Sequence, residues 1–156
     1  MPGVPDVYQG SELWEQSLVD PDNRREVDFG MRELLLAAIT GGAHPPAGDG
    51  GAEKLMLVRC ALTLRRDHPE KFTRYLPLSA AGERAEHVVA FDRGGAITVA
   101  TRLPAGLARA GGWGHTVLLL PDGRYLDRLT GRHHDGGELS LTSLLERYPV
   151  ALLEVA

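Results

Sequence analysis

Residues 3–28 read GVPDVYQGSELWEQSLVDPDNRREVD. A short apolar start gives way to a crowded polar loop. Five acidic residues, Asp6, Glu12, Glu15, Asp20 and Asp22, precede Arg24 and Arg25, with Tyr8 and Trp14 among them. That composition suits a ligand-facing surface. Sugars offer adjacent hydroxyls to carboxylates, amides and guanidinium groups, and a less polar ring face that lies against Trp or Tyr. Glu12, Asp20, Asp22, Asn23, Arg24 and Trp14 supply those chemistries. A plainer account stands beside this one, in which Asp20-Pro21-Asp22-Asn23 is a turn and the two arginines neutralise nearby acids.

Downstream of this loop, Leu34, Leu35, Ala38 and Ile39 recur at helical spacing behind Asp28 as a cap, and Gly41-Gly42 supplies the stop. The pattern predicts an amphipathic helix. The stretch 41–51, GGAHPPAGDGG, contains turn formers and small residues apart from His44 and reads as a surface loop. A second helix is predicted from about Ala52 to Arg66. Its apolar residues surround most of the circumference, so it should be largely buried, and Asp67-His68-Pro69 should end it.

After Arg74 the pattern changes to short β-rich runs: Tyr75–Leu78, His87–Phe91, Ala96–Thr101, Thr116–Leu120, Tyr125–Leu129 and Val150–Val155. Asp92-Arg93-Gly94-Gly95 reads as one hairpin connection and Pro121-Asp122-Gly123 as another, which together predict an antiparallel sandwich or partial barrel. Helices followed by strands give an α+β class and two structural units, residues 1–73 and 74–156. Gly111-Gly112-Trp113-Gly114 lacks the Lys of a phosphate loop and reads as a flexible loop with an anchoring aromatic.

The chain has 156 residues, enough for about one domain with a real core and too few for a complete eight-stranded α/β barrel. A net charge of −4 provides no field to hold a phosphate backbone, so nucleic acid is not expected as a partner. The single cysteine, Cys60, excludes an internal disulfide and reads as a small core residue. No apolar run approaches the roughly 20 residues of a membrane span, and the N-terminus lacks a basic start or apolar signal core. A cytoplasmic location and no membrane partner follow as expectations. Asp20-x-Asp22 opens like a calcium loop but continues into Arg24 and Arg25, where oxygen ligands and Gly are required. His133-His134-Asp135 has adjacent histidines that do not converge easily, and Gly131–Gly137 reads as a solvated surface turn. No metal and no cofactor are expected.

Gly3-Val4-Pro5-Asp6-Val7-Tyr8-Gln9-Gly10-Ser11-Glu12-Leu13-Trp14 resembles the eighth-strand segment of the α-amylase superfamily, Gly-x-Pro-x-x-Tyr-x-Gly-x-Glu. Its continuation through Ser17-Leu18-Val19-Asp20-Pro21-Asp22-Asn23-Arg24-Arg25 is similar to the maltooligosyltrehalose synthase family within it. Weaker similarity continues through Arg74–Leu78, Glu86–Phe91, Leu129-Thr130-Gly131 and Tyr148–Leu153, covering most of the chain. Glu15 stands where the family has Asp, and Glu26 where Pro follows the paired arginines.

The resemblance implies an enzyme that converts the reducing-end α-1,4 linkage of a maltooligosaccharide to an α,α-1,1 linkage by intramolecular transglucosylation, an isomerase of trehalose biosynthesis. It also implies the fold: residues 1–73 would be the end of a (β/α)8 barrel, with its last strand and helices, and residues 74–156 an antiparallel β C-terminal domain. Retaining chemistry of this kind needs two carboxyl groups about 5 Å apart, shielded from water. The family carries them after earlier barrel strands, so none is assigned here and the chain alone should be inactive. Glu12 and Asp20 are not that pair, because the matching motif places them after the last strand, where the family shapes its sugar site. Tyr8, Gln9, Glu12, Trp14, Asp20, Asn23 and Arg24 are therefore the candidate substrate-binding residues. Gln9 or Glu12 would bond a sugar hydroxyl or orient an arginine, and Trp14 would stack on a glucose. Asp20, Asn23 and Arg24 would fix the loop.

Two other readings remain open. A stand-alone carbohydrate-binding module would need an aromatic platform, for which Trp14, Trp113 and Tyr125 are the candidates. A partner subunit would complete a split barrel. An orphaned barrel segment exposes faces that it would otherwise bury, which predicts altered packing of residues 3–73 or self-association.

Overall fold

The computed structural model describes residues 8–15, 26–48 and 50–156. The chain divides into two compact units, Gly3–Leu62 and Thr63–Ala156. The expected barrel strand ahead of Tyr8 lies outside the described residues, as do Asp20, Asn23 and Arg24.

In the first unit, α1 (Phe29–Thr40) starts where Asp28 accepts the Met31 backbone N–H at 2.8 Å. That cap satisfies one of the orphaned donors of the first turn. The helix stops in a Schellman arrangement, with the Gly42 N–H on the Ile39 carbonyl at 3.1 Å and the Ala43 N–H on the Ala38 carbonyl at 3.0 Å. The predicted amphipathic face is only partly realised. Arg32, Leu35 and Ile39 form the covered row, while Leu34 is 70% exposed and Phe29, Met31 and Leu36 are exposed with it. Leu34 and Leu35 point about 100° apart on a helix, so one covered row cannot serve both.

The second helix, α2 (Ala52–Asp67), buries Ala52, Leu55, Met56 and Leu64 and half-buries Leu57 to Ala61, Cys60 included. It gives way at His68 to a 3-10 turn, Pro69–Phe72. Proline at the start of that turn has no N–H to continue the α-helical ladder.

The second unit is built on strands β1 (Leu76–Pro77), β2 (Ala80–Ala81), β3 (Val88–Asp92), β4 (Ala96–Thr101), β5 (Val117–Asp127), β6 (His133–Ser140) and β7 (Val150–Val155). Their order is β1-β3-β4-β7-β5-β2, with β6 also on β5, and every pairing is antiparallel. The antiparallel expectation holds, and the strands form one curled sheet, the partial barrel of the two expected forms, rather than the two stacked sheets of a sandwich. Pro121-Asp122-Gly123 is the reason. This stretch is not a hairpin connection; it lies inside β5 as an irregularity between Leu120 and Arg124. Before it, β5 pairs with β2; beyond it, the same strand pairs with β7, so one long strand turns from one neighbour to another and the sheet curls. The Tyr125 hydroxyl donates to the Pro121 carbonyl at 2.9 Å across the bend.

The expected turn around Gly131–Gly137 is also corrected, because β6 runs through most of it and pairs with both halves of β5. Its glycines misled the reading. Gly136 serves close approach: a Cβ there would collide with the Pro121–Gly123 backbone. By contrast, Asp92–Gly95 is a hairpin connection as predicted. Asp92 Oδ1 accepts the Gly94 and Gly95 N–H groups at 2.8 and 2.7 Å, and both glycines have φ near 120°, a conformation that side chains resist.

The core of this unit lies against the sheet. It draws alternate residues Ile97 and Val99 from β4, and Ala151 and Leu153 from β7, with Leu118, Leu120 and Tyr125 from β5. Two short helices, α3 (Pro104–Arg109) and α4 (Leu141–Leu144), add Leu107, Leu141 and Leu144. Trp113 packs there too, 9% exposed, consistent with the anchoring role read from its glycine-rich loop.

Candidate functional site

Residues 8–15 form a tight turn in the first unit. The Tyr8 carbonyl accepts both the Ser11 hydroxyl at 2.6 Å and the Ser11 N–H at 3.1 Å, while Gly10 is buried beneath. Tyr8 and Gln9 expose their side chains. Four of the seven predicted site residues, Tyr8, Gln9, Glu12 and Trp14, sit on this turn.

Arg32 on α1 holds the turn's shape. Its guanidinium donates to the Gly10 carbonyl at 2.7 Å, to the Asp28 carbonyl at 3.0 Å and to Glu12 Oε2 at 3.4 Å. Five donors in a rigid fork let one arginine reach three acceptors. The Glu12 carboxylate thus pairs with an arginine of α1. The sequence reading did not include Arg32. The available signal was a cation on the row of α1 that carries Leu35 and Ile39, where an arginine needs a partner.

Trp14 is held from the first turn of α2. Its indole N–H donates to Glu53 Oε1 at 3.3 Å, and the same oxygen accepts the Gly48 N–H at 3.3 Å. The Lys54 ammonium lies 5.0 Å from the ring centroid and donates to the Leu13 carbonyl at 3.2 Å. That is a cation–π placement. At Gly51, φ is +97° and a Cβ would lie 2.7 Å from the Trp14 backbone nitrogen, so only glycine admits this approach. Trp14 is nevertheless 62% exposed. Glu53 and Lys54 were also absent from the sequence reading, which treated their stretch simply as the start of a helix.

Elsewhere the candidates separate. Trp113 and Tyr125, at 9% and 2% exposure, belong to the core of the second unit and present no open aromatic face. His133 and His134 are neighbours on β6, so their side chains face opposite sides of the strand. Burial pushes the His134 imidazole below its ordinary pKa. Among the described residues no three His, Cys, Asp or Glu side chains gather as a metal site. In the second unit a cleft of about 560 Å³ is lined by Lys71, Arg74, Asp92 and Tyr125. Two of its charges are engaged, Lys71 on Glu154 at 2.6 Å and Arg74 on Asp92 at 2.5 Å, which ties the stretch after α2 to the sheet. Among the described residues no helix is long and apolar enough to cross a membrane.

No family model matches the chain. A Mycobacterium tuberculosis protein named as a maltooligosyl trehalose synthase is 51% identical over 98% of this chain, which covers 19% of that protein. The solved maltooligosyltrehalose synthase of Arthrobacter ramosus matches at 54% identity and a TM-score of 0.96, over 99% of this chain and 20% of its own. The DSM5389 glycosyltrehalose synthase matches at 26% identity and a TM-score of 0.73, over 99% of this chain and 19% of its own. The chain thus spans about one fifth of the length of these relatives. By sequence and by fold together it is similar, along virtually its whole length, to the C-terminal region of the maltooligosyltrehalose synthases.

Proposed function

We propose that the chain serves as the C-terminal part of an enzyme that converts the reducing-end α-1,4 linkage of a maltooligosaccharide to an α,α-1,1 linkage by intramolecular transglucosylation. Within it, the turn at residues 8–15 faces the sugar and the antiparallel sheet is a structural companion. The observation that carries this reading is Trp14, which is held at its N–H edge and approached by a cation, yet keeps most of its surface open. A rigid aromatic face with polar groups at its rim suits a hexose, whose C–H-rich face stacks while its hydroxyls bond outward. Tyr8 and Gln9 offer further exposed groups on the same turn. Asp20, Asn23 and Arg24 are proposed to complete it. Glu12 acts through Arg32 and sets the turn's shape.

The chain is assigned no catalytic carboxylate, and alone it is inactive. Glu12 is engaged with a cation, an arrangement suited to holding a loop rather than to donating a proton. The reaction occurs in the cytoplasm without a cofactor. A second reading, that the chain completes a barrel supplied by another subunit, is favoured by the apolar side chains that α1 leaves uncovered, Phe29, Met31 and Leu34, each at least half exposed. Either arrangement supplies those side chains with a cover, and without one they promote self-association.

The test is kinetic. Maltopentaose incubated with this chain alone should keep its reducing ends, whereas the complete synthase carrying the same segment should consume them. In that synthase Trp14→Ala should raise KM more than it lowers kcat. Turnover by the chain alone, or an unchanged KM in the variant, contradicts the proposal.

A further inference from the structure

Glu53 and Lys54 occupy consecutive positions at the start of α2, and both act on the same segment. Glu53 Oε1 receives two N–H groups, the Trp14 indole and the Gly48 backbone, each at 3.3 Å, so one oxygen links the indole edge to the loop before α2. Its other oxygen, Oε2, is buried and makes no hydrogen bond among the described residues. Leaving a buried acceptor unmet has a cost of its own, and a residue chosen only to cap a helix turn would keep both oxygens wet. Lys54 satisfies the Leu13 carbonyl and places its charge near the ring. With Gly51 letting the α2 backbone come against Leu13 and Trp14, the indole is fixed by its N–H edge, its ring and its own backbone.

We propose that Glu53 and Lys54 are positioning residues, which lock the Trp14 indole in one orientation and so present it as a preorganised stacking surface for a glucosyl ring. The proposal deepens the sugar-site reading of Trp14 and rests on it. An exposed tryptophan would otherwise sample several rotamers, and each side chain immobilised on binding costs affinity. Ordering the indole beforehand removes that cost. Glu53 fixes the tilt of the ring through its N–H, and Lys54 restrains it through its charge and its bond to Leu13. Neither residue needs to touch sugar.

The two tryptophans make the test readable, because Trp113 is buried in the other unit and serves as an internal control. Indole N–H resonances and acrylamide quenching are followed in wild type, Glu53→Ala, Glu53→Gln and Lys54→Met, with Tm recorded for each. Glu53→Ala should shift and broaden the Trp14 indole signal and increase its quenching while Trp113 stays still. Glu53→Gln keeps a carbonyl acceptor and should restore the wild-type signal. Lys54→Met should increase quenching with a smaller shift. Titration with maltopentaose should then show affinity lowered about fivefold in Glu53→Ala, the effect of losing one hydrogen bond's worth of ordering, and recovered in Glu53→Gln. An unmoved Trp14 signal in a folded Glu53→Ala protein overturns the positioning role. A freed indole in Glu53→Ala, together with wild-type protein that ignores maltopentaose, supports the positioning and overturns the sugar reading instead. If Glu53→Ala fails to fold, the Lys54→Met quenching decides, and no change there overturns the proposal.

Discussion

The Arg32 guanidinium lies 3.4 Å from the Glu12 carboxylate across twenty residues of chain, and the same side chain reaches the Gly10 carbonyl at 2.7 Å. The pair ties the candidate site to α1. With Arg32 16% and Glu12 26% exposed, the contact is partly shielded and stronger than an open surface pair. Arg32→Ala should therefore destabilise the first unit by about 1 to 3 kcal/mol, the range for charge-assisted hydrogen bonds. Hydrogen exchange at Gly10 to Trp14 should accelerate in the variant. Arg32→Lys should recover little, because an ammonium cannot reproduce the fork.

Acid should act on the second unit through Asp92. Burial alone would raise this carboxyl's pKa, but the Gly95 and Gly94 N–H groups and the Arg74 guanidinium outweigh it and hold the carboxyl below its ordinary value. A group depressed in the folded state stabilises above its unfolded pKa and loses that contribution as pH falls through the folded one. Stability should therefore decline from about pH 4 downward, near the unperturbed Asp value. Asp92→Ala strands the buried Gly95 N–H and the part-buried Gly94 N–H and should cost about 2 to 3 kcal/mol, measured by urea unfolding at neutral pH. Asp92→Asn keeps an acceptor for the glycines and should lose less.

A separate pH dependence should come from His134. Burial lowers its pKa and its Nε2 has no hydrogen-bond partner among the described residues, so the folded state prefers the neutral ring. The unfolded chain takes up a proton first, and stability should fall as pH drops below about 6.5 toward the lower folded value. His134→Gln should remove this component while leaving the Asp92 component at lower pH. Melting curves at pH 7.5, 6 and 5 separate the two.

Much of the architecture was legible from local signals, and what was not shares a physical cause. The Asp28 cap, the Gly41-Gly42 stop and the Asp92–Gly95 hairpin each depend on a few adjacent residues and appear where the sequence places them. The bend inside β5 depends on β7 taking over from β2 as a neighbour, a choice made far along the chain, and Pro-Asp-Gly without that context reads as an end rather than a bend. β6 was hidden because His133–Gly137 lacks apolar alternation, its pairing being set by β5. In the candidate site the exposed residues were legible as chemistry, whereas Arg32, Glu53 and Lys54 became visible only when α1 and α2 were placed beside the turn.

The exposed apolar side chains of α1 should make the isolated chain associate. Leu34, 70% exposed, and Met31 lie on one side of the covered row and Phe29 and Leu36 on the other, so apolar side chains are open to solvent on both flanks of the helix. Light scattering should show a mass that rises with concentration, and Leu34→Glu should reduce it without lowering Tm. A concentration-independent monomer with α1 fully protected from exchange would show that these side chains need no cover.

The account turns on Trp14 as a sugar-facing residue, and an NMR titration of this chain with maltopentaose tests that most directly, with trehalose and an unrelated oligosaccharide as controls. Saturable shifts at the Trp14 indole, specific to maltopentaose and absent at Trp113, are the predicted result. A folded sample in which Trp14 stays silent at saturating maltopentaose would contradict it.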